Sequence, residues 1–176
     1  MKRAVALLSL GAVIAPTVAV RAQQPPSIER ERSPQQRQEM KRLAFLIGKF
    51  QAATRSNGGR GREKAETRVL RENSWEAGGT FLSLRLRQPD SSVSLDVVGF
   101  DLPARKFRAT QFHPFSNGTP EVLTCTVEGQ QLIIPSLHGH SRRTFARSAT
   151  GILVKTERRD GGRWITVAES AFTRLR

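Results

Sequence analysis

Beyond Gly48 the chain alternates apolar and polar side chains at every second position, the pattern of strands with one buried face. In "TFLSLRLRQ" Leu82, Leu84 and Leu86 stand against Phe81, Ser83, Arg85 and Arg87. In "SVSLDVVGF" Val93, Leu95 and Val97 stand against Ser94, Asp96 and Val98, and in "EVLTCTVEG" Leu123, Cys125 and Val127 share a face. Turn sequences punctuate these runs at short intervals, among them "SNGGRG", "EAGG", "QPDSS", "DLPARK", "VEGQQ" and "RDGGR". The last joins "ILVKTER" to "RWITVAESAFTRLR" and predicts a tight hairpin at Asp160-Gly161, where glycine supplies the positive φ that primed turns need. Nine or ten strands are expected, with no helix long enough to cross between parallel neighbours. The fold class is therefore all-β: an up-and-down antiparallel barrel or a strongly curved meander, closed or packed so as to hide its edges.

Ahead of the strands the period changes. Ser33 is placed to cap a helix, Pro34 suits its first position, and Gln36 can complete a capping box. Met40, Leu43, Ala44 and Ile47 then form one helical stripe, and Gly48 is placed to end the helix in a left-handed conformation. The segment before it, "QQPPSIERERSPQQR", is too polar to order itself by burial. Further upstream, Lys2 and Arg3 precede an apolar run from Ala4 to Val20, and Val20 and Ala22 occupy the two positions a signal peptidase inspects. The expected organisation is a signal peptide over 1–22 cleaved after Ala22, a flexible leader over 23–33 and one barrel domain over 34–176. The destination is the periplasm or the medium, with no stable membrane anchor after cleavage.

Composition changes this picture in two places. The 176 residues carry 29 Lys and Arg against 15 Asp and Glu, a net charge of +14, of which Lys2, Arg3 and Arg21 leave with the signal. The basic residues come in small groups near turns, such as Arg142 and Arg143 or Arg158 and Arg159, and do not interleave with aromatics. That reads as a solvated surface and argues against nucleic acid, while leaving an anionic envelope polymer as a partner that salt would displace. Cys125 is the only cysteine, so no internal disulfide forms, and its place on an apolar strand face predicts a buried, inert thiol.

The order of these elements carries a resemblance. "LAFLIGKF" at the entrance, a long antiparallel meander, "VGFD" at Val98 to Asp101, "RRDGGRW" with Trp164 past the hairpin, and Glu169 and Thr173-Arg174 near the end together resemble the lipocalin-like domains of the calycin superfamily found in exported bacterial proteins. The resemblance covers nearly all of residues 40 to 176. It implies a barrel whose base is closed by Gly48, by Phe50 where the superfamily usually has tryptophan, and by Arg174 packed across that ring.

Candidate chemistry is sparse. His138 and His140 share a face and His113 is the only other histidine, but the glycine-rich entrance and late histidine of haem-binding barrels are missing; no metal, haem or other cofactor is expected. Of the meander's carboxylates, Asp96, Asp101, Glu121, Glu128 and Glu169, Asp101 reads as a turn former and Glu169 as outward. No nucleophile, zinc or phosphate-loop motif is present, so an enzyme is the least favoured reading. Small side chains at Ala109, Ala168 and Ser170 on otherwise bulky strands suggest room for a ligand. A small apolar molecule is the expected ligand, contacting Leu82, Leu84, Val93, Leu95, Phe107, Ala109, Leu123, Ala168 and Phe172. The alternative is a noncatalytic envelope component that binds anionic polymers through its arginine-rich exterior.

Overall fold

In the computed structural model the described residues are 33–55, 66–112 and 119–176. The expected signal and leader, the "SNGGRG" turn and His113 lie outside them. Ten strands follow one another: β1 (Gly48–Arg55), β2 (Glu66–Glu76), β3 (Phe81–Arg87), β4 (Val93–Asp101), β5 (Lys106–Phe112), β6 (Glu121–Glu128), β7 (Gln131–Pro135), β8 (Ser141–Arg147), β9 (Gly151–Asp160) and β10 (Arg163–Arg174). Each pairs antiparallel with the next, and β10 returns to pair with β1, giving a closed up-and-down barrel. The seam is short: Phe50 opposes Arg174 and Gln51 opposes Thr173. A further backbone bond runs from Leu175 N to Lys49 O.

The entrance helix, α1 (Pro34–Lys41), is shorter than its stripe predicts, and a 3-10 turn over Ala44–Leu46 replaces its last turns. Met40, Leu43 and Leu46 are buried, whereas Ala44 is exposed. Ser33 makes no side-chain cap, and Gln36 is used differently from a capping box: its Nε2 donates to Phe100 O at 3.1 Å and ties α1 to β4. Arg42 donates to Val127 O and Asn73 Nδ2 to Leu46 O, so the segment is held across one end of the barrel as a plug. Gly48 does not end a helix. It opens β1 at φ 138°, a conformation side chains resist, and a Cβ there would stand 2.5 Å from Arg174 Nη1.

Inward-facing residues are set by register. Leu82 opposes Val98, Val98 opposes Ala109, and Ala109 opposes Leu123, so one apolar layer runs across β3 to β6. In β4 the expected faces are exchanged. Asp96, Val98 and Phe100 are buried, while Val93 is exposed and Leu95 and Val97 are half-buried on the outer face. In β10 a bulge between Thr166 and Ala168 shifts the alternation, so Trp164 lies outside although Phe172 lies inside. The β9–β10 turn is one residue later than the sequence suggests, with Gly161 and Gly162 both at positive φ and Asp160 already paired with Arg163.

Candidate functional site

The barrel interior has two halves. Toward the plugged end, Phe50, Leu82, Ala109, Leu132, Phe145 and Ile152 are 0% exposed and Leu84 is 1% exposed. A side chain lining an empty lumen wide enough for one water would retain accessible area. These do not, so this half is filled by its own side chains. Of the nine positions expected to meet a ligand, Leu82, Leu84, Phe107, Ala109, Leu123 and Phe172 lie in this packed layer. Val93 and Leu95 are not inside at all, and Ala168, though opposite Thr156 in register, is exposed.

The barrel's base is closed by a ring and a cation. The Arg174 guanidinium carbon lies 4.9 Å from the centre of the Phe50 ring, with Gly48 leaving room beside both.

Toward the open end the lining becomes polar. Asp96 is 2% exposed and accepts a hydrogen bond from Arg143 Nη2 at 3.0 Å. Arg143 is on the strand face that carries Phe145, which turns it inward; its neighbour Arg142 points out, bonds Glu157 and lies 4.4 Å from the Trp164 ring centre. Deeper in the barrel, opposite Phe50 in register, Arg71 is 3% exposed, with its guanidinium 5.1 Å from the Phe145 ring and 5.2 Å from the Phe172 ring. Arg143 also reaches Phe145, at 5.9 Å, so two guanidinium groups share one aromatic ring. Arg71 Nε is buried without a hydrogen-bond partner among the described residues, as is Oδ1 of Asn73 at the plugged end, where its Nδ2 bonds Leu46 O. Burial, reinforced by Arg143 and opposed by Asp96, pulls the Arg71 pKa down to about 10, which still leaves a cation at neutral pH.

Beside this charged layer a cavity of about 270 Å³ opens, lined by Gln111, Glu121, Ile134, Ser141, Arg143 and Thr156. Its walls come from five consecutive strands, β5 to β9, so a bound molecule would sit in the barrel's mouth. Sequence reasoning missed this site because a charged residue in a strand reads as solvent-facing. The usable signal was the company each charge keeps: Arg71 alternates with Val69, Asp96 with Val98, and Arg143 with Phe145.

The remaining candidates fall elsewhere. Asp101 accepts from Ala104 N and Arg108 Nε in its turn, and Glu169 is outside, paired with Lys155 at 3.2 Å. His138 and His140 are exposed in the β7–β8 connection. Cys125 is buried, and burial raises its thiol pKa to about 12. No protein-family model and no curated protein matches this chain.

Proposed function

We propose that this protein is an exported, noncatalytic binding barrel of the lipocalin-like kind its sequence resembles, taking a small molecule with an anionic group at its open end. The observation that carries this reading is Arg71: a cation with a buried, unpartnered Nε beneath the cavity's charged layer, where the one deeply buried carboxylate among the described residues, Asp96, is already bonded to Arg143. Taking such a charge out of water costs several kcal/mol, and an acceptor group brought by a ligand offsets that cost. The packed apolar half supplies a rigid floor, and Ile134 gives the cavity an apolar wall for the ligand's body. Glu121, which also lines the cavity, selects against a second negative charge.

The test compares hexanoate with neutral hexanol by thermal shift and calorimetry. Hexanoate is expected to raise the melting temperature of the parent protein and hexanol to leave it unchanged. Arg71→Met, in which Asp96 keeps Arg143, is expected to match or exceed the parent in stability, to within about 1 kcal/mol at the low end, and to lose the response to hexanoate. Equal stabilisation by both compounds would return the ligand to the apolar class. Response to neither would sink the binding reading and leave the exterior, where Arg158 and Arg159 are exposed on the β9–β10 hairpin, as the surface for anionic polymers.

A further inference from the structure

The plugged end of the barrel carries a second concave surface, remote in chain register from the mouth. A groove of about 650 Å³ runs between the α1 segment and the β8–β9 turn, lined by Lys41, Arg42, Phe45, Arg147, Ser148 and Arg174, among others. Among the described residues, four cations share this wall and no carboxylate lines it. Arg42 is engaged by Glu39 at 2.9 Å and by Val127 O, and Arg174 rests on Phe50. Lys41 and Arg147 are exposed and have no acidic partner among the described residues. Like charges gathered in a concave wall repel one another and concentrate a positive field, so the arrangement favours an anion there.

The other lining groups sharpen the class. Ser148 Oγ accepts from Gly151 N at 3.1 Å, which leaves its hydroxyl proton free to donate into the groove. Arginine forks match the oxygens of phosphate, and lysine adds a mobile point charge. The volume exceeds that of a lone phosphate, and Phe45, Ala44 and Ala149 provide apolar surface beside the cations. We infer that this groove binds a phosphate ester, its phosphate held by Lys41 and Arg147 and its apolar portion laid against Phe45. A soluble ester and an anionic phospholipid headgroup present the same chemistry.

Two probes separate these sources: phenyl phosphate in calorimetry, and sedimentation with phosphatidylglycerol vesicles against phosphatidylcholine vesicles. Binding of either anionic probe is expected, with at least a tenfold loss of affinity in the Lys41→Gln, Arg147→Gln double variant and a comparable loss in moderate salt. Binding of phenyl phosphate alone identifies a soluble ester, and retention on phosphatidylglycerol alone identifies a headgroup. Both support the site. The double variant should keep whatever response to hexanoate the parent shows, so this inference stands or falls apart from the mouth reading. It is overturned if neither probe binds, or if the double variant binds as well as the parent.

Discussion

Whether a side chain's chemistry is expressed depends on the face it is given. Cys125 shows this most simply. Its strand face turns it into the core, its Sγ lies 3.8 Å from Leu123 O, and its thiol is held near pKa 12 chiefly by burial. At pH 8 almost none of it is thiolate, and little of the residue meets solvent. Iodoacetamide should therefore label native protein at least a hundredfold more slowly than protein in denaturant, by mass spectrometry. Comparable rates would show that the core opens readily. Asp96 and Arg143 are the opposite case, charged residues whose strand neighbours, Val98 and Phe145, draw them inside, where each finds the other across 47 positions of sequence. Local pattern cannot reveal such a pair, because the partner that makes burial tolerable is distant in the chain.

Strands were legible where alternation was undisturbed and misread where it was not. β3, β5 and β6 turn Leu82 and Leu84, Phe107 and Ala109, and Leu123, Cys125 and Val127 inward, and leave Phe81, Phe112 and Val122 exposed. β4 offers apolar residues on both faces, so periodicity alone could not choose between Val97 and Val98, and the charge on Asp96 tipped the choice the wrong way. In β10 one bulged residue inverts the face of everything before it. The seam between β1 and β10 yields the test that belongs to this scale. Phe50→Ala should cost roughly 3 to 5 kcal/mol in urea unfolding, and Arg174→Ala about 1 to 2 kcal/mol through lost stacking. The double variant should cost less than their sum, because the two groups touch. Strict additivity would show that the contact contributes nothing to closure.

Across the whole molecule, acid is the condition to which the fold is most exposed. Glu157 is held below the ordinary carboxylate range first by its bond from Arg142, and Asp101 by its bond from Arg108. Glu76 and Asp90 are lowered by serine hydroxyls. With each folded-state pKa below its unfolded value, the unfolded chain takes up protons first as pH falls. The stability these groups contribute is present above the ordinary carboxylate pKa and is lost on descent through the folded one. Protonation also removes negative charge from a chain already at +14. Urea midpoints should fall between about pH 5 and pH 3, and Glu157→Gln should flatten that slope; an unchanged slope would place the acid sensitivity elsewhere. The ring topology has a consequence in time as well. β1 is made first and waits for β10, and at about 5 to 20 residues per second the chain between Phe50 and Arg174 takes on the order of ten seconds to synthesise. During that interval the nascent sheet has an open edge at β1, and any extended segment that pairs there competes with the strand that alone can close the ring.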